Sequence, residues 1–174
     1  MTLHDMLGAW HDFYELIGAA SATLVGLMFV AASVGAGVFT REKQVALRCF
    51  LSPTVVAFSV VLATSLVGVL PVSDWRVPSS LLGGMGLLGM LYSARVWHRL
   101  VREGIARSID LEDRIWYAAV PAVAYLVLAG AGVAFGLETA EACSILAGGM
   151  CLLLLAGVRN AWDMTTWVVL NRQK

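Results

Sequence analysis

Charge is scarce in this sequence. Only 14 % of its 174 residues are Asp, Glu, Lys or Arg, where a soluble domain carries about a quarter. Basic and acidic residues balance at 12 each, so no basic excess marks a nucleic-acid partner and no net charge drives disorder. Histidine and cysteine are rarer, three of each. Cys49, Cys143 and Cys151 show no CxxC spacing, which argues against thiol–disulfide chemistry. His4 and His11 precede the first apolar run and His98 falls just past the third. A haem with axial ligands inside the membrane, or a serine protease with an embedded His base, therefore lacks its parts. No Gly-Lys-Ser/Thr loop, arginine ladder or TVGYG filter is present. The expectation is a protein that is not an enzyme and needs no cofactor.

Apolar residues are what the chain has, at 59 %. They fall in five runs: Phe13 to Phe39, Ala46 to Leu70, Ser79 to Trp97, Ile115 to Leu137 and Ala142 to Trp162. Each is close to or above the roughly 20 residues that cross a hydrocarbon core as helix. Strands are the poorer reading, because no ten-residue alternation of polar and apolar residues occurs. Lipid cannot satisfy an open backbone, so the runs are helices. With no linker rich in Ser or Pro, residues 1–174 read as one domain. The fold class expected is all-α, an integral membrane bundle of five transmembrane helices.

The charges orient it. The connection after the first run holds Arg41, Lys43 and Arg48, and that after the third holds Arg95, Arg99, Arg102, Arg107 and Arg114. The last run and tail add Arg159, Arg172 and Lys174, leaving Arg76 alone on the other side. The positive-inside rule then places the N-terminus outside and the C-terminus inside. No basic segment precedes the first run, which is also longer than the core of a signal peptide, so it reads as a retained anchor. Trp10, Trp75, Trp97, Trp116 and Trp162 stand at run edges, where an indole suits the headgroup zone. Asp110, ahead of Glu112 and Asp113, reads as the N-cap of the fourth helix.

The second and third runs look like the fourth and fifth. Pro53 and Pro121 open the two hairpins, Gly83-Gly84-Met85 matches Gly148-Gly149-Met150, and Trp97 matches Trp162 at the same offset. This reads as a parallel hairpin repeat, 46–97 and 115–162. Both prolines should kink their helices.

Candidate functional residues are few. Gly18, Ala22 and Gly26 recur every four positions on the first helix, the spacing that lets helix backbones approach closely. Packing within the chain and self-association both fit it. Ser21, Thr23 and Ser33 can bond between helices or line a wet path. Arg159 and Asp163 stand four apart beside Asn160 and form the best polar candidate pair. Arg95, Arg99 and Arg102 leave the third span as a stripe suited to anionic lipid headgroups. Leu3, Met6, Leu7, Trp10, Phe13, Tyr14 and Ile17 share one helical face, with His4, His11 and Glu15 opposite. That polar stripe is a weak candidate for a metal; the plainer reading is an interfacial helix with its polar face in water.

The segment Trp10-His11-Asp12-Phe13-Tyr14, with Gly18-Ala19-Ala20-Ser21-Ala22-Thr23-Leu24-Val25-Gly26-Leu27-Met28-Phe29-Val30-Ala31-Ala32-Ser33, resembles the first helix of a family of small uncharacterised bacterial inner-membrane proteins. Phe50-Leu51-Ser52-Pro53-Thr54-Val55-Val56 is similar too, as are Ile109-Asp110-Leu111, Arg114 and Trp116-Tyr117. The resemblance runs over most of the chain. It implies a multi-span protein of the bacterial inner membrane and transfers no catalytic or binding residue. The function expected is therefore association of helices, with a second copy or a membrane-protein partner, in an accessory role. The alternative is an oligomeric channel or small-solute transporter.

Overall fold

The computed structural model describes residues 3–36, 41–102 and 115–171, with all their side chains except those of residues 4, 34–36, 41–52, 99, 100, 164 and 167–171. Every regular element among them is helical. A short helix α1 (Leu3–Ala9) leads through Trp10 into α2 (His11–Ala36). Then come α3 (Arg41–Gly68), α4 (Arg76–Arg102), a π-helical turn (Ile115–Ala119) running into α5 (Val120–Gly136), and α6 (Ala142–Asn171).

Among the described residues, four segments are long and apolar enough to cross a membrane: His11–Ser33, Arg76–His98, Ile115–Gly136 and Ala142–Asp163. Of the second expected span, 46–70, the residues with described side chains include the apolar segment Pro53–Gly68 of α3. The turns of α3 that precede it carry Arg41, Glu42, Lys43 and Arg48.

Neighbouring helices run antiparallel, and small residues set the closest approach. A Cβ placed on Gly86 of α4 would strike the backbone of Ala129 on α5, and one on Gly132 would strike the backbone of Gly83. The α4–α5 pair is the most extensive in the molecule; α5 also packs on α6, α6 on α3, and α3 on α2. Contact between α3 and α4 is slight although they are joined in sequence. Lipid tails are as apolar as Leu, so burial alone does not hold such helices together; close packing and hydrogen bonds do. The large apolar side chains accordingly divide. Phe58, Leu82, Leu128, Phe135, Leu146 and Leu153 are fully buried. Leu27, Phe29, Leu88, Leu126 and Leu155 are each more than half exposed, one on nearly every face, as a bilayer solvent requires.

The turns after α3 and α5, together with α1, mark one end of the bundle. Here Asp74 Oδ1 accepts the Arg76 N–H at 2.9 Å, satisfying one of the orphan donors at the start of α4. α5 ends in a Schellman motif: the Thr139 N–H donates to the Ala134 carbonyl and the Glu138 N–H to that of Phe135, both at 3.1 Å. Glu138 takes the left-handed position, with φ of 54°. The N-terminal stripe read as interfacial is used differently. Leu3, Met6, Leu7, Tyr14 and Ile17 are buried in the protein core, while Asp12 and Glu15 face outward. Their apolar face covers the end of the bundle instead of lying on lipid. The tryptophans divide in the same way. Trp10 and Trp75 pack against the core, and Trp97 and Trp162 are exposed, free to meet headgroups. The expected cap Asp110 lies outside the described residues.

Candidate functional site

The opposite end of the bundle holds a mainly apolar cavity with a few polar groups, built around two prolines. Pro53 sits inside α3 and Pro121 in the first turn of α5. A proline has no N–H to donate to the carbonyl four residues back, and its ring pushes that carbonyl aside. In α5 the disturbance coincides with the π-helical turn Ile115–Ala119, an insertion that recurs at functional positions in helices. Pro53 and Pro121 both line one cavity of about 20 Å³, room for one water.

Three other stretches complete the wall. α4 supplies Tyr92 and Ser93, the π turn and α5 supply Tyr117 and Tyr125, and α6 supplies Gly157 and Asn160. Asn160 comes to this wall by helical stride, since Leu153, Ala156, Gly157 and Asn160 follow the inward face of α6 and are all buried. Asn160 is only 4 % exposed, and its Oδ1 has no hydrogen-bond donor among the described residues. Leaving a buried acceptor unmatched costs about 1–3 kcal/mol, so this atom stands out.

The Arg159–Asp163 pair expected from the sequence does form, with Nη1 donating to Oδ1 at 2.7 Å. It sits one step round the helix from Asn160. The side chains remain 34 % and 23 % exposed and do not line the cavity. At that exposure the bridge is worth a few tenths of a kcal/mol, as for other i,i+4 pairs.

The first-helix pattern splits. Gly18 is buried, and a Cβ there would strike Ser65 of α3. Ala22 is exposed, and nothing lies within 4 Å of the place a Gly26 Cβ would take. Gly18 therefore serves packing inside the chain, and Ala22 and Gly26 face outward. Ala22 also lines an open groove of about 470 Å³ between α2 and α3, with Leu62, Leu66 and Val69 on the far wall. Ser21 Oγ donates to the Phe58 carbonyl of α3 at 2.6 Å, a true bond between helices. Thr23 and Ser33 bond back to carbonyls of their own helix.

On the weak metal stripe, His11 Nε2 lies 3.3 Å from Glu15 Oε1, both well exposed. The His4 side chain is outside the described residues, which contain no group of three or more His, Cys, Asp or Glu placed to hold a metal. Arg95 and Arg102 are exposed as headgroup contact requires; the Arg99 side chain is outside the described residues.

Sequence reasoning saw Pro53 and Pro121 as kinks and Asn160 only as a neighbour of the ion pair. It missed Tyr92, Ser93, Tyr117 and Tyr125 as one group. Only the two prolines at matching positions of the hairpins signalled where these side chains would converge. No protein-family model matches the chain, and searches of curated proteins and of solved structures find no match.

Proposed function

We propose that this chain is a non-enzymatic multi-pass membrane protein that works through helix–helix association, in an accessory or regulatory role. The observation that carries the reading is the one-sided packing of α2. This long apolar helix rests chiefly on α3, and its other faces present Leu16, Leu27, Phe29 and Val30 beside the small residues Ala22 and Gly26. Small residues let a second helix approach closely. A second copy of the chain is the simplest occupant, because one small-residue face suits another like it.

The same reading takes α3 as a fifth span, with the N-terminus outside and the C-terminus in the cytoplasm of a bacterial cell. The antiparallel order of the helices supports it, because α1 and the tail then stand at opposite ends. The basic residues support it too, clustering after the first and third spans and at the tail, all at one end.

The test is native mass spectrometry of the protein released gently from its own membranes, beside Ala22→Leu and Gly26→Leu. Gly18 is left alone because it belongs to the fold. The expected result is a discrete oligomer that both substitutions weaken about tenfold or more. A monomeric parent, or assembly unchanged in both variants, overturns self-association; a complex with one other protein identifies the partner instead.

A second reading, an oligomeric channel or small-solute transporter, draws on the cavity that Asn160 and the tyrosines line. Since that cavity has room for one water, a solute path would have to lie between copies. Flux into liposomes from the assembled form tests it.

A further inference from the structure

The cavity between the prolines has the marks of a binding site that the association reading does not use. It lies inside segments otherwise apolar enough to span the membrane. Burying a polar group without a partner is costly, and such groups persist where they meet a ligand or one another. Asn160 is more than nine-tenths buried, lines this cavity, and keeps an amide oxygen with no donor among the described residues. The group it calls for must donate a hydrogen bond. An anion has the wrong polarity for a carbonyl oxygen, and a divalent cation would seek carboxylates, of which there are none among the described residues that line the site. The volume, about 20 Å³, admits nothing much larger than one water. The tyrosine rings of the wall accept a small cation as readily as a neutral molecule.

The position is as telling as the chemistry. The duplication read from the sequence pairs Pro53 with Pro121, Ala57 with Tyr125 and Tyr92 with Gly157, and all six residues line this one cavity. The same pairing exchanges the α4–α5 contact with the α6–α3 contact, both of them substantial, whereas α3 and α4 touch less than their counterparts α5 and α6. The cavity therefore lies where the two hairpins meet. Helices interrupted at corresponding positions of two repeats mark binding sites in repeat-built membrane proteins.

We propose that this cavity binds a single small hydrogen-bond donor, water or an ammonium ion, through Asn160 Oδ1. The site stands whether or not α2 mediates association, and its test does not depend on oligomeric state. The experiment is a crystal structure of the full chain from a lipidic mesophase, at a resolution that shows ordered water, for the parent and for Ala57→Val. The expected result is one density peak within about 2.7–3.2 Å of Asn160 Oδ1, lost in Ala57→Val, where the added methyl groups take its place. An ordered Asn160 with no such peak in the parent overturns the proposal. Thermal melting in matched ammonium, sodium and tetramethylammonium chloride then identifies the donor. A rise of about 2–4 °C in ammonium alone, abolished in Asn160→Leu, identifies ammonium. A peak with no ammonium-specific shift identifies water.

Discussion

Ser21 shows how much depends on where a hydroxyl points. Its Oγ donates across to the Phe58 carbonyl of α3, whereas the hydroxyls of Thr23 and Ser33 return to their own helix. Bonds between transmembrane helices are worth about 0.6 kcal/mol on average. Ser21→Ala should therefore lower stability by roughly that amount, while Thr23→Ala and Ser33→Ala should change it by less than about 0.3 kcal/mol. Unfolding in mixed micelles by graded SDS measures all three. Equal losses would show that the Ser21 bond is not special. Tyr14 is a larger case. Its ring is fully buried, a Cβ on Gly68 would strike it, and its hydroxyl reaches the Cys143 carbonyl at 3.5 Å. A bond that long adds little, so Tyr14 acts mainly by filling space. Tyr14→Phe should be near neutral, and Tyr14→Ala should cost about 3–5 kcal/mol.

At the scale of elements, two features are open to test. The turn between α5 and α6 puts Glu138 in a conformation that glycine adopts freely and that costs an L-residue roughly 1–2 kcal/mol. Glu138→Gly should stabilise the protein by about 0.5–1 kcal/mol, since the gain is reduced by glycine's greater freedom in the unfolded chain. A loss of stability in the same SDS assay would contradict that account. The α4–α5 crossing is held closed by Gly86 and Gly132, where a side chain meets backbone that cannot step aside. Gly132→Leu should cost about 3 kcal/mol or more and separate the pair. Gly26→Leu adds the same side chain where nothing stands in its way, so it should leave the fold intact. The contrast separates helix propensity from packing.

The whole molecule is a helical bundle with apolar segments long enough to cross a membrane, and the sidedness proposed for it can be tested. Residues 73 and 141 belong to the end that carries α1, and residue 102 belongs to the other. With α3 as a span, cysteines placed by Ser73→Cys and Glu141→Cys should react with an impermeant thiol reagent from outside. Arg102→Cys should react only after the membrane is opened. Labelling of residue 102 but not of residue 73 from outside would overturn the five-span reading with its outside N-terminus.

Composition alone determined the solvent of this protein. Runs this long and apolar, with charge confined between them, are stable only as helices in lipid, because the backbone must satisfy itself. The C-terminal edge of α5, the start of α6 and the shared face of Leu3, Met6, Leu7, Tyr14 and Ile17 were legible from a helical period in apolar residues, although that face was expected at the membrane interface and is buried in the core. The Arg159–Asp163 bridge was legible too, because four residues along a helix suffice to make it. Tertiary structure decided what spacing along one chain cannot express. It turned Gly18 inward and left Gly26 facing out, though both belong to one pattern. It brought Pro53, Tyr92, Pro121 and Asn160, from four different helices, around one cavity. Lipid imposes the same apolar requirement on every outward face, so hydropathy cannot choose which face turns inward. Close packing of small residues against particular partners makes that choice.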